Sequence, residues 1–234
     1  MTTTCTRCHG SGWVPLDDDS LRVEACECQG DLRRDQRLAS TGIPRRYEHC
    51  TVETFRAETP TLKNARRRVE EFIDMWPATD DGRGLLMMGS CGSGKTHLAV
   101  ASLIEIIRSG KPGRLLFRNF QDLIQEIQAS FESDEVPSKS ELMRPMLDAD
   151  LLVLDELGSQ KPTTFVQDIL YYVINTRYND KRATVFTTNY VDRPGDAKEE
   201  RLDQRIGTRL RSRLYEMAQV VDFGTTPDYR RNTL

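Results

Sequence analysis

The sequence predicts an α/β domain, a buried parallel sheet with helices on its faces, preceded by a small cysteine-stapled head. Three observations predict it. An apolar run ends in a glycine-rich loop that opens a helix, strand-like and helix-like segments alternate after it, and two close cysteine pairs come before it. The 234 residues have room for one such domain and an appendage. A hydrophobic content of 38% and a charged content of 29% suit a core wrapped in a polar surface. No run approaches the ~18 apolar residues of a membrane span, and the polar start Met1-Thr2-Thr3-Thr4 does not read as a signal peptide. A cytoplasmic location with no membrane attachment is expected. The net charge of −3 does not advertise nucleic-acid binding, but the arginines are clustered, and local patches count for more than the total.

From the amino terminus, the first feature is Cys5-Thr6-Arg7-Cys8, followed by Cys26-Glu27-Cys28. In a reducing compartment four close cysteines read as a metal site rather than as disulfides. Thiolates hold Zn²⁺ tetrahedrally, and the metal would stand in for the hydrophobic core that so short a piece lacks. Four protein ligands leave no open position, so such a zinc is structural. Trp13, Val14 and Val23 suit a short hairpin across the acidic turn Asp17-Asp18-Asp19-Ser20, and Gly10 and Gly12 allow a tight turn at the metal. The second pair has a single intervening residue, which leaves His9 open either as a substitute ligand or as a solvated neighbour.

The head is placed at residues 1–30, a basic connector at 31–60 and the main domain at 61–234. Asp31 to Leu38 suits a short basic helix ended by Gly42 and Pro44, and Ile43-Pro44-Arg45-Arg46-Tyr47 is extended by its proline. The connector's arginines fit a solvated face, or a contact for nucleic acid or a partner. Cys50 reads as packed. A helix from about Leu62 to Trp76 puts Val69, Phe72 and Ile73 on one face with Arg66-Arg67-Arg68 opposite, and Pro77 and Asp80-Asp81-Gly82 end it.

The strand Leu85-Leu86-Met87-Met88 then feeds Gly89-Ser90-Cys91-Gly92-Ser93-Gly94-Lys95-Thr96, and a helix follows through Leu98 to Ile104. Strand, glycine loop and helix start form the context of a phosphate-binding loop. Its glycines let successive N–H groups point inward at phosphate oxygens. Lys95 would reach the β- and γ-phosphates, and the Thr96 hydroxyl would hold Mg²⁺. The implied ligand is a nucleoside triphosphate.

Beyond the loop, Leu115-Leu116-Phe117 reads as a buried strand and Phe120 to Phe131 as an amphipathic helix, followed by a polar loop from Ser133 to Ser140. Leu142 to Leu147 is a short helix feeding the strand Leu151-Leu152-Val153-Leu154-Asp155-Glu156. That strand delivers two acids at its carboxyl end: Asp155 to hold the metal, mostly through water, and Glu156 to act on the attacking water as general base. A helix from Thr163 to Tyr178 carries a buried stripe, and the strand Thr184-Val185-Phe186-Thr187-Thr188-Asn189 ends with Asn189 facing the γ-phosphate. One helix from Glu199 to Met217 sets Leu202, Ile206, Leu210 and Leu214 beside Arg201, Arg205, Arg209 and Arg213. Arg201 and Arg205 read as solvated, whereas an arginine near the helix end could reach a neighbouring subunit's γ-phosphate. Val220-Val221-Asp222-Phe223 is the last strand.

Taken in order and spacing, Gly89 to Thr96, Leu152 to Glu156, Thr187-Thr188-Asn189 and Arg209-Leu210-Arg211-Ser212-Arg213-Leu214 resemble the AAA+ ATPases, and within them the DnaC/IstB branch. Residues 43–47 and 50–55 look like that family's approach to the ATPase core, and Asp228-Tyr229-Arg230 is similar to its ending. The resemblance covers about residues 40–234, and the four-cysteine head is similar to the zinc-binding head of loader variants. It implies a RecA-like (ASCE) parallel sheet with a minimal or absent lid, ATP and Mg²⁺ as ligands, and ATP-dependent homo-oligomerisation. It also implies single-stranded DNA binding and a replicative helicase as partner. It assigns Asn189 as first sensor, Arg213 as arginine finger with Arg209 as the alternative, and Arg230 as second sensor. The activity expected is an ATPase that loads a ring helicase. The other readings are an IstB-like transposition helper and a nucleotide-controlled adaptor that hardly turns over.

Overall fold

The computed structural model describes residues 5–9, 11–16, 22–131, 137–192, 199–226 and 228–229. The chain forms two units, Met1–Thr41 and Gly42–Leu234. This division differs from boundaries at residues 30 and 60. The helix predicted over Asp31 to Leu38 is the middle of a longer one, α1 (Glu27–Ser40), which starts between the second pair of cysteines. Residues 42–60 belong to the larger unit, where Cys50, Val52 and Phe55 are buried.

In the small unit, β1 (Trp13–Pro15) and β2 (Val23–Ala25) pair antiparallel with Trp13 opposite Ala25. Gly10 and the acidic turn Asp17 to Ser20 lie outside the described residues. No residue of α1 is buried, and Arg34 pairs with Asp31 in solvent, which fits a solvated basic face. Among the described residues of this unit, the buried ones are Cys8, Cys26 and Thr41.

The large unit begins with α2 (Pro60–Met75), capped by the Thr59 side chain, which accepts from the Leu62 N–H, and opened by Pro60 at its first turn. Its Leu62, Val69, Phe72 and Ile73 are buried, while Arg66, Arg67 and Arg68 pair with Glu70 and Glu71. Next come β3 (Gly84–Met88), α3 (Lys95–Arg108), β4 (Leu115–Asn119), α4 (Phe120–Ala129) and α5 (Lys139–Asp148). They are followed by β5 (Leu151–Asp155), α6 (Thr164–Asn179), β6 (Ala183–Thr188), α7 (Leu202–Ile206), α8 (Thr208–Met217) and β7 (Ala218–Asp222).

The five strands of this unit form one parallel sheet in the order β4-β5-β6-β3-β7. Every residue of β3, β5 and β6 is buried, the expected state of parallel strands covered by helices on both faces. Leu86, Leu152, Leu154 and Phe186 join the apolar stripes of α4, α5, α6 and α8 in one cluster. On the other side α3 packs on α2 and lies against β4, β5 and β6. The chain leaving β3 returns at the far edge, in β4, while β7 lies on β3's other flank. This reversal of strand order opens a crevice at the carboxyl end of β3, where such sheets hold ligands.

The approach segment is not extended beyond Pro44, because Arg45–Tyr47 close a 3-10 turn in which the Tyr47 N–H donates to the Pro44 carbonyl. Two more expectations fail in the arginine-striped segment. The single helix from Glu199 to Met217 is two, because Gly207 takes φ 85° and ψ 148° and breaks the chain's helical path. The apolar stripe survives the break: Leu202, Ile206, Leu210 and Leu214 are all buried. The arginine stripe does not, since Arg201 and Arg209 are exposed whereas Arg205, read as solvated, is buried. A second buried arginine, Arg177, joins α5, α6 and β6 by donating to the carbonyls of Met146, Ala149 and Ala183 and to the Thr184 hydroxyl. Its burial pulls its pKa down to about 9.

Candidate nucleotide pocket and cysteine cluster

The glycine loop leaves β3 at Gly89 and enters α3 at Lys95. Gly92 (φ 73°) and Gly94 (φ 90°) occupy the left-handed region, and both are also closely packed. A Cβ on Gly92 would lie 1.9 Å from an Asp228 carboxylate oxygen, and one on Gly94 would lie 2.6 Å from the Phe55 ring. The loop is thus wedged between two segments distant in sequence. On one side, the His97 ring bonds the Thr51 carbonyl at 2.8 Å, and Phe55 packs against His97 and Phe223. On the other, the Ser90 hydroxyl donates to the Thr226 carbonyl at 3.0 Å and its N–H donates to the Gly224 carbonyl at 3.1 Å.

A cavity of about 420 Å³ opens over the loop, lined by Cys91 to Thr96, Glu156, Asn189 and parts of the approach segment, including Tyr47 and Thr54 to Arg56. Lys95 is 6% exposed and donates to the Gly89 and Ser90 carbonyls at 2.9 and 2.7 Å. Asp155, 3% exposed, ends β5 behind the loop. One of its carboxylate oxygens accepts from the Thr96 hydroxyl at 2.9 Å and from the Thr187 hydroxyl at 2.6 Å. Burial pushes the Asp155 carboxyl up, and the two hydroxyls pull against that shift.

Glu156 has φ 58°, unusual for a residue with a side chain, and its N–H donates to the Thr187 hydroxyl at 3.0 Å. Its carboxylate accepts from the Asn119 amide at 3.1 Å. The same amide caps α4: its oxygen accepts from the N–H groups of Gln121 and Asp122, so its nitrogen is turned toward Glu156. Asn189 is exposed at the cavity mouth.

The loop, Asp155, Glu156 and Asn189 therefore converge. Arg209 and Arg213 do not line the cavity. Arg209 is exposed, and the Arg213 guanidinium stacks over the rings of Tyr171 and Tyr178 at 5.0 and 5.8 Å. Arg230 lies outside the described residues. Sequence reasoning passed over three contributors. Asn119 ends β4 as Asp155 ends β5, a polar residue closing an apolar strand, which is a readable signal. Thr187 stands beside Asn189 in a motif whose last residue alone drew a role, and Phe55 carried no signal of its own.

In the head, the Sγ atoms of Cys5, Cys8, Cys26 and Cys28 all lie within 4.8 Å of one another. Cys5 and Cys26 are 3.8 Å apart and Cys8 and Cys28 3.4 Å, and the Gly12 N–H donates to the Cys8 sulfur. His9, exposed, stands outside this group.

The model of the IstB-like ATP-binding proteins matches residues 30–233. The chain belongs to that family. This IstB-like protein is 25% identical over 201 residues to the replicative helicase loader DnaC of Escherichia coli strain K12, a span of 85% of this chain and 76% of that protein. It is 25% identical over 226 residues to the phage-like element PBSX protein XkdC of Bacillus subtilis strain 168, covering 91% of this chain and 79% of that one. A crystal structure of the DnaC helicase loader matches with a TM-score of 0.66 at 29% identity, over 76% of this chain and 99% of that chain. The IstB-like chain is thus an AAA+ protein of the DnaC/IstB branch, with an ATP-binding core. No helix among the described residues is long and apolar enough to cross a membrane.

The buried carboxylate yields a signed prediction. Because burial raises the Asp155 pKa, its ionisation lowers stability as pH rises from the unfolded carboxylate range through the folded value. Asp155→Asn keeps an oxygen for both hydroxyls and removes the charge. The nucleotide-free variant should melt higher than wild type at pH 7, with the difference closing at acid pH. Scanning calorimetry without Mg²⁺ checks this, and a lower melting temperature at pH 7 would show the charge to be fully compensated.

Proposed function

We propose that this chain is an ATP-hydrolysing loader that delivers a replicative ring helicase to single-stranded DNA. The observation that carries the hydrolytic part is the convergence of Thr96, Asp155 and Glu156 on one mouth of the glycine loop. Lys95 would exchange its carbonyl partners for β- and γ-phosphate oxygens. The Thr96 and Asp155 oxygens, 2.9 Å apart, suit a hard cation. Mg²⁺ bound there would neutralise charge on those phosphates. Glu156, oriented by Asn119, would take the proton of the attacking water, and Asn189 would contact the γ-phosphate. Arg213, or Arg209 in its place, would serve a neighbouring subunit, a role supported by its position away from its own cavity. Arg230 keeps the second-sensor role as an expectation from the resemblance.

Helicase loading is supported by likeness to proteins named as replicative helicase loaders. The family match to IstB supports a second reading, a transposition helper with the same chemistry. The test joins both halves. Wild type should hydrolyse ATP, and Glu156→Gln should bind ATP while losing turnover. The ATP-locked variant should retain the host's replicative helicase from a native extract. Wild-type turnover in Glu156→Gln would remove the general base, and retention of a transposase in the helicase's place would establish the second reading.

For DNA, the supporting feature is Phe131, 66% exposed at the end of α4 and packed edge-on to Phe165 at the start of α6, 6.0 Å between ring centres. An exposed ring backed by a partly buried one suits stacking on unpaired bases without sequence readout. Phe131→Ala should lower affinity for an oligothymidine by roughly 1–3 kcal/mol, read by fluorescence anisotropy at fixed salt. Unchanged affinity would move the DNA site elsewhere.

The head is assigned a structural zinc. Tetrahedral thiolates with Zn–S near 2.3 Å have edges of about 3.8 Å, a spacing that the 3.8 and 3.4 Å Sγ pairs approach. The near-absence of buried apolar side chains in the head's described residues supports the same reading. Elemental analysis should find about one zinc per chain, lost in Cys26→Ser with ATP binding retained. Freshly reduced protein without zinc would overturn the assignment.

A further inference from the structure

The loop after β5 carries Glu156, and its first five carbonyls all have partners. The Glu156 carbonyl accepts from the Ser159 N–H at 3.0 Å and the Leu157 carbonyl from the Thr188 hydroxyl at 2.8 Å. The next three, on Gly158, Ser159 and Gln160, all accept from one side chain. Arg205 donates from Nε to Gly158 at 2.7 Å and from Nη2 to Ser159 and Gln160 at 3.0 and 2.8 Å. Its Nη1 pairs with Glu200 at 3.0 Å. The guanidinium also lies 4.9 Å from the centre of the Tyr190 ring, one residue beyond Asn189. The space is filled: a Cβ on Gly158 would lie 3.1 Å from the Arg205 Cβ and 3.2 Å from the Tyr190 ring.

We infer that Arg205 is a positioning residue for hydrolysis, a clamp on the loop 158–160 that holds Glu156 in its left-handed conformation. This rests on the hydrolytic reading of Glu156 given above. The inner side of the turn is held by Thr187, whose hydroxyl and carbonyl accept the N–H groups of Glu156 and Leu157. Arg205 supplies the outer side. A residue with a side chain keeps φ 58° only where its surroundings over-determine it. Only a planar fork with several donors meets three successive carbonyls and a carboxylate at once, so lysine can replace it only in part. Arg205 is absent from the cavity lining and acts through the loop. By spanning to Tyr190 it also fixes the spacing between the strand ends that carry Glu156 and Asn189.

The experiment uses the full-length protein with Arg205→Ala, Arg205→Lys and Arg205→Ala combined with Glu156→Gln. A fluorescent ATP analogue with Mg²⁺ should bind each variant about as tightly as wild type, because Arg205 does not line the cavity over the glycine loop. Turnover should fall in Arg205→Ala, by up to the roughly 10²-fold that follows a 1 Å misplacement, with KM little changed. Arg205→Lys should recover part of it, and it carries the test if the alanine variant does not fold. In the Glu156→Gln background Arg205→Ala should cause no further fall. Hydrogen exchange should show the Leu157 and Ser159 amides less protected in Arg205→Ala, with β3 and β5 unaffected. Wild-type turnover in Arg205→Ala, or an undiminished fall in the Glu156→Gln background, overturns the inference. Should wild type itself not hydrolyse ATP, the hydrolytic reading falls, and unchanged amide protection then overturns the clamp independently.

Discussion

The core depends on one constraint: a carboxylate buried at the end of a parallel strand must be satisfied by its neighbours. Asp155 is 3% exposed, and the hydroxyls of Thr96 and Thr187 meet the same oxygen. Those two threonines belong to the first turn of α3 and to β6, so a single atom links three elements that meet at the crevice. Burying a charge without such partners is costly, and the arrangement places a polar knot where the sheet's strand order reverses. The remaining polar groups of the site are anchored to it. Thr187 also accepts from the Glu156 N–H, and Glu156 in turn is held by Asn119.

Around this knot the glycine loop is shaped from outside. Gly92 and Gly94 leave no room for a side chain, because Asp228 and Phe55 close on them. The approach segment and the segment after β7 are therefore parts of the pocket and not linkers to it. The head solves a different problem. Its described hairpin and helix bury almost nothing apolar, and its sulfur atoms cluster within 4.8 Å. Small pieces of chain below the size of an independent core need a covalent or metal staple.

Much of the core was legible from sequence because its signals are local. A buried strand, a glycine loop and a helix start are contiguous from Leu85 to Ile104, and Leu154-Asp155-Glu156 shows the switch from apolar strand to acid within three residues. Hairpin strands around Trp13 and Val23 were equally plain. The helix spanning Glu199 to Met217 misled for a related reason. Its fourfold apolar period persists across Gly207, so periodicity alone cannot reveal the break that a positive φ imposes there.

Sequence by itself thus determined the class of fold, the glycine loop between β3 and α3, the acids at the end of β5 and the two cysteine pairs that cluster in the head, since each is a residue type at a short, fixed spacing. Tertiary structure alone decided which arginines face solvent. Arg201, Arg205, Arg209 and Arg213 recur on one period, yet one is enclosed by carbonyls 45 to 47 positions away, one stacks on tyrosines of α6, and two are exposed. It also decided that Asn119 both caps a helix and holds Glu156. An arginine's surroundings depend on carbonyls and rings brought from elsewhere in the chain, and no local pattern encodes that meeting.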